Sequence, residues 1–175
     1  MQEKEEFKIP EIPFIFPYSE DKKTRKAQMK SNLQHGILFE DTGFFLPWST
    51  PYGAIDKIAE QKREGSGHIY WYLGHHVILG GYKSHVTVHN LGNKMSDPIR
   101  QIEEMLGVEK GGEDRANEAR DIFNETLGKL KNPDYGKVGY LDLGHMIWEV
   151  GDCFISIVGI ERFDYFYYLN VGWRD

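Results

Sequence analysis

The chain has one cysteine, Cys153, in 175 residues. No intramolecular disulfide can form, and a reducing compartment is the simplest setting for such a chain. It also lacks a long apolar run. The opening MQEKEEFKIPEIPFIFP is acidic where a secretory leader is basic, and Pro10, Pro13 and Pro17 break its only apolar stretch. No segment approaches the roughly 18 apolar residues of a membrane-spanning helix. The expected setting is cytoplasmic, without membrane contact. Positive charge is in deficit: 21 Lys and Arg against 27 Asp and Glu give a net charge of −6. Nucleic acid, whose recognition rests on neutralising phosphates, is therefore not an expected partner. A basic protein is, because opposite fields speed encounter; solubility alone is the other reading of an acidic surface. Phosphate-binding motifs are missing. Gly80-Gly81 lies between strand patterns instead of opening a helix, and Gly111-Gly112 lacks the Lys and Ser/Thr of a phosphate loop. No cofactor is expected.

What the chain does have is a 40% hydrophobic share and a 14% aromatic share, enough for one substantial core. Residues 1–34 read as an N-terminal arm, partly packed. Ile9-Pro10, Ile12-Pro13 and Phe16-Pro17 hold it extended, since each proline keeps its predecessor out of the α region. The basic run Lys22, Lys23, Arg25, Lys26 and Lys30 reads as a solvated helical turn or as a contact patch. Residues 35–175 read as a single α+β domain.

Within that domain, His35–Asp41 reads as a strand. Thr50 as a cap and Pro51 at the first helical position predict a helix over 50–64. Asp97-Pro98 predicts a second over 97–107, with Ile99, Ile102, Met105 and Leu106 on its buried face. Ala116, Ala119, Ile122, Phe123, Leu127 and Leu130 predict a third over 113–131, ended by Asn132-Pro133. Strand patterns predict a hairpin over 68–91, turning at Gly80-Gly81, and a C-terminal meander over 145–173 in which Phe163, Tyr165, Tyr167, Leu169 and Val171 share a face. Antiparallel blocks separated by helices make an antiparallel sheet packed on about three helices, not a parallel βαβ array.

Seven histidines invite a search for chemistry. If Gly80-Gly81 is a two-residue turn, His76 faces His85 and Tyr72 faces His89 on one side of the hairpin. Directly paired residues have Cβ atoms about 4.5–5.5 Å apart, so His76, His85 and His89 are candidate metal ligands. The same residues also read as the half-exposed face of a sheet, and a turn at Gly74-His75 would dissolve the His76–His85 pair. Cys153 reads as a small core residue. Glu103 and Glu104, adjacent on the predicted second helix, read as a solvated face. The apolar stretch from Phe44 to Trp48 either packs or forms a contact patch. Taken as a contact surface, the candidate partner-binding residues are Trp48, Tyr72, His76, His85 and His89, with no catalytic set among them.

The block GILFEDTGFFLPWSTPYGAIDKI resembles a pattern in small bacterial immunity proteins, which neutralise polymorphic or contact-dependent toxins. The late strand pair WEVGDCFISIVGIERFDYFYYLNV is similar in character to their end strands. The resemblance covers about a third of the chain and its motifs are structural. It implies a cytoplasmic inhibitor that binds one cognate toxin, a basic toxin suiting the acidic surface, and it carries no catalytic residues over. A histidine-centred metal protein or hydrolase and a small-molecule-binding subunit are the other readings. Oligomeric state is not legible.

Overall fold

A computed structural model describes residues 6–130, 145–161 and 164–174. The chain is α+β, as its pattern of elements predicts. After an extended stretch comes α1 (Lys22–Leu33), capped by Asp21, whose carboxylate accepts from the Thr24 amide at 2.9 Å. The basic residues sit on this helix, while its Met29, Asn32 and Leu33 are buried. Asn32 holds the preceding stretch by two hydrogen bonds to the Ile15 backbone. A small hairpin follows, β1 (Gly36–Phe39) and β2 (Phe44–Pro47). The apolar stretch from Phe44 to Trp48 is thus mostly a packed strand.

Among the described residues the main sheet has seven strands, all antiparallel. They are β3 (Gln61–Gly65), β4 (His68–Ile78), β5 (Tyr82–Leu91), β6 (Gln101–Val108), β7 (His145–Val150), β8 (Cys153–Glu161) and β9 (Tyr165–Trp173), in the spatial order β3-β4-β5-β6-β9-β8-β7. The predicted hairpin and meander are both present, and β6 joins them. The long helix α2 (Glu109–Thr126) packs on β6 and β9. With α1 and the β1–β2 hairpin it covers one face of the sheet, where Trp71, Leu73, Val86, Val88, Ile102, Ile155, Leu169 and Val171 form the core. No described helix is long and apolar enough to cross a membrane.

Two predicted helices are corrected. Over 50–64 only a short 3-10 helix forms, Tyr52–Lys57, and the chain then pairs Gln61–Gly65 with β4. In a 3-10 helix positions i and i+3 align, so Tyr52 and Ile55 reach the core without a longer helix. The charged Lys62, Arg63 and Glu64 suit a sheet edge, where like edges must not pair. Over 97–107 the helix is replaced by β6. Pro51 and Pro98 meet in an isolated bridge, and the chain then enters a strand with Ile102, Glu104 and Leu106 buried and Glu103 and Met105 turned outward. The expected helical stripe missed this period-two alternation because Glu104 is a charged residue at a core position. The third helix is real but runs over Glu109–Thr126, earlier than expected. Asn132-Pro133 and Phe163 lie outside the described residues.

Gly111-Gly112 lies in the first turns of α2. A Cβ on Gly112 would stand 2.5 Å from the Gly107 carbonyl oxygen and 2.8 Å from the Tyr167 ring. The glycine therefore sets how closely the helix approaches the sheet. Gly112→Ala is expected to cost about 1–3 kcal/mol through overpacking. Gly111→Ala, which meets open space, is expected to be neutral or slightly stabilising, by up to about 1 kcal/mol of helix propensity. Chemical denaturation of the two variants side by side checks the contrast.

Candidate functional site

The predicted hairpin register is also corrected. The turn takes three residues, Leu79 to Gly81, and Ile78 pairs with Tyr82. A bulge follows at Leu73-Gly74, with Gly74 at φ 87°, a conformation that favours glycine. Each irregularity shifts the register by one residue. His85 therefore faces His75, not His76, and His89 faces Tyr70, not Tyr72. His76 is held elsewhere: its ring stacks on Phe39 at 4.1 Å, its Nε2 donates to the Leu73 carbonyl at 2.9 Å, and its Nδ1 lies 3.1 Å from Asp41. It ties the bulge to the β1–β2 hairpin. The three candidate ligands His76, His85 and His89 are thus not brought together. Among the described residues no three His, Cys, Asp or Glu side chains converge as a metal centre requires.

Trp48 is buried at 4% exposure and its indole donates to the Leu33 carbonyl at 2.8 Å, so it presents no surface. Cys153 is buried; burial, followed by the nearby Asp152 charge, outweighs the hydrogen bond with Trp48 and raises its thiol to about 11. A thiol so placed is not a nucleophile at neutral pH.

Of the predicted residues, Tyr72 and His89 meet in one place. The face of the sheet opposite the helices carries a hollow of about 570 Å³ spanning β4, β5, β6, β9 and β8. Alternation aims Tyr70 and Tyr72 from β4, Thr87 and His89 from β5, Glu103 and Met105 from β6, and Tyr168 and Asn170 from β9 into it. The register sets Glu103 at the centre, with Thr87 directly across on one side and Asn170 on the other. One wall is built of parallel rings: Tyr70 stacks on its cross-strand partner His89 at 4.3 Å, and His68 lies against His89 at 5.0 Å. His68 Nδ1 and His89 Nε2 share a hydrogen bond of 2.7 Å. The rim is apolar, with Met105 57% exposed and Ile160 also open to solvent.

Glu103 is the unusual group. Its side chain is only 22% exposed, and burial raises its carboxyl above the ordinary value. Among the described residues no Lys or Arg lies within 4 Å of it. The nearest basic atom among them is His89 Nδ1 at 3.7 Å. Burial, and then the neighbouring His68, hold His89 below its ordinary value, so at neutral pH it brings no charge. Glu103 is therefore a poorly solvated carboxylate with no Lys or Arg partner among the described residues. Neither Glu103 nor Tyr168 was a sequence-based candidate. The signal was there, in the alternation of Gln101–Val108, but a helical reading hid it.

This yields a pH prediction. Below the ordinary carboxylate value Glu103 is protonated in both folded and unfolded chains and costs nothing. As pH rises past that value the unfolded chain ionises first, so the ionised group opposes folding, fully so above its raised native value. Glu103→Gln is expected to melt above the parent protein at pH 7, with the difference closing toward pH 4. Thermal unfolding across that range tests it; a lower midpoint at pH 7 would contradict it.

No family model matches the sequence, and no curated protein or solved structure is significantly similar to it.

Proposed function

We propose that the chain is a non-catalytic binding protein of the immunity type, and that the open face of the sheet is its recognition surface. The observation that carries the reading is the hollow around Glu103, floored by tyrosines and rimmed by exposed Met105 and Ile160. Tyr, Phe and Met are enriched at the centres of protein interfaces, and large rings there supply area at little entropic cost. The net charge of −6 supports a basic partner, as the resemblance to immunity proteins implies. The test is co-expression with the neighbouring reading frames. Relief of one neighbour's toxicity, lost when Tyr72 and Tyr168 are both changed to Ala, is the expected result. Absence of any toxic neighbour, or relief that ignores these residues, would end the reading.

One observation favours a second reading. Glu103 and His89, shifted in opposite directions within one hollow, have the arrangement of an acid–base pair. Hydrolysis of ester or amide probes, bell-shaped in pH and lost in Glu103→Gln, would favour that reading over binding.

A further inference from the structure

We propose that the hollow around Glu103 is a receptor for one arginine side chain of the partner protein. The proposal rests on the binding-protein reading above and names what the surface binds. Three features of the hollow converge. First, Glu103 sits centrally, mostly buried, with no Lys or Arg of the described chain within 4 Å. A carboxylate in that position can take a cation from outside. Second, aromatic side chains line the hollow around it, Tyr70, Tyr72 and Tyr168, with the His89 ring stacked on Tyr70. Aromatic faces attract cations, and more strongly where water is excluded. Third, neutral acceptors lie beside the carboxylate, Asn170 directly across the ladder on β9 and Thr87 on β5. An arginine head is planar, stacks on tyrosine faces and presents several donors at once, so it fits rings and acceptors better than a lysine ammonium.

The pre-stacked wall of His68, His89 and Tyr70 makes the receptor rigid before the partner arrives. Less ordering is then lost on binding. Because His89 is held uncharged, it does not occupy Glu103 as an internal cation. No Lys or Arg of the described residues completes the site, and a cation from the partner would compensate the carboxylate in the complex.

The experiment titrates the full-length protein, observed by NMR, with the N-acetyl methylamide of arginine and with the same amide of citrulline, its neutral isostere. Arginine amide is expected to shift the resonances of Tyr70, Tyr72, Glu103 and Tyr168, citrulline amide not. Glu103→Gln, which should fold at least as well as the parent, is expected to weaken the arginine response by at least about tenfold, or about 1.4 kcal/mol. Tyr168→Phe should keep the response and Tyr168→Leu reduce it. Equal responses to both amides, shifts located outside the hollow, or no shift at all would overturn the proposal. So would tetramethylammonium binding more than about tenfold tighter than arginine amide, since that would mark a pocket for a small cationic ligand. The two readings fail separately. Toxicity relief without an arginine response rejects the receptor and keeps the immunity function. An arginine response without any toxic neighbour does the reverse.

Discussion

Truncating Glu104 to alanine is expected to cost about 3–5 kcal/mol, the range for removing one member of a buried charged network. Glu104 is 2% exposed, on the covered face of the strand that also bears Glu103. Its carboxylate accepts four bonds: from the Tyr82 hydroxyl at 2.7 Å, the Ser84 hydroxyl at 3.2 Å, the His85 amide at 2.9 Å and the Arg115 guanidinium at 3.1 Å. Burial, reinforced by the Glu104 charge, raises the Tyr82 phenol and keeps it the donor. The His85 bond has a structural cause. β5 and β6 share one ladder position, Thr87 with Glu103, so beyond it the β5 backbone has lost its neighbour. Glu104 reaches across the opening and satisfies the stranded amide. Arg115, on α2, then fastens the helix to the same carboxylate and to the Lys83 carbonyl at 3.0 Å. In Glu104→Ala the Tyr82, Ser84 and His85 donors lose this acceptor, each buried orphan costing about 1–3 kcal/mol, while Arg115 keeps the Lys83 carbonyl and Glu118. The melting point should fall by on the order of 10 °C. Glu104→Gln should recover little, because an amide offers one acceptor oxygen and turns a donor toward other donors. Replacing Glu104, Tyr82 and Arg115 together by Leu, Phe and Met should recover much of the loss, since no charge is then stranded. The His85 amide would still lack a partner. Equilibrium denaturation of the series decides; a Glu104→Ala loss under about 1 kcal/mol would show that the network contributes little.

The two adjacent glutamates also mark where the sequence was legible and where it was not. The class of fold, the 68–91 hairpin, the meander and the apolar stripe of the long helix could all be read, because each rests on local periodicity that tertiary packing reinforces. Ala116, Ala119 and Phe123 are buried as their spacing predicts. The strand at Gln101–Val108 could not, because one core position is charged and its partners Tyr82, Ser84 and Arg115 are distant in sequence. Proline next to a capping residue suggested helices at Pro51 and Pro98, yet those prolines meet each other across a bridge. The site suffered most. A single residue at the turn was enough to exchange His76 for His75 opposite His85, and another at the bulge completed the exchange of Tyr72 for Tyr70 opposite His89. The hollow itself draws on five strands from two blocks of sequence, and no local pattern encodes that meeting.

Phe123→Ala should cost about as much as Glu104→Ala, about 3–5 kcal/mol, but by leaving a cavity instead of stranded polar groups. Phe123 is fully buried on α2. Its ring stands edge-on to Tyr82 at 5.3 Å and, at an interplanar angle of 88°, to Trp148 at 5.3 Å. Tyr82 opens the second strand of the hairpin, and Trp148 belongs to the far edge of the meander. One side chain therefore touches both β blocks, which pair with each other only through β6. The surroundings cannot collapse into the space easily. Trp148 is held by its indole to Asn124 and the Gly128 carbonyl, and Tyr82 by its hydroxyl to Glu104. Anchored neighbours keep a cavity open, and an open cavity is the costly kind. Phe123→Leu should cost much less, about 1.5 kcal/mol or under if the core repacks. Because Phe123 and Glu104 both act on Tyr82, the double variant should lose less than the sum of the singles, by about 0.5–3 kcal/mol. Strict additivity within about 0.5 kcal/mol would mean that Tyr82 does not link them. The helix would then be joined to the sheet by two independent contacts, one polar and one apolar, and not through one shared ring.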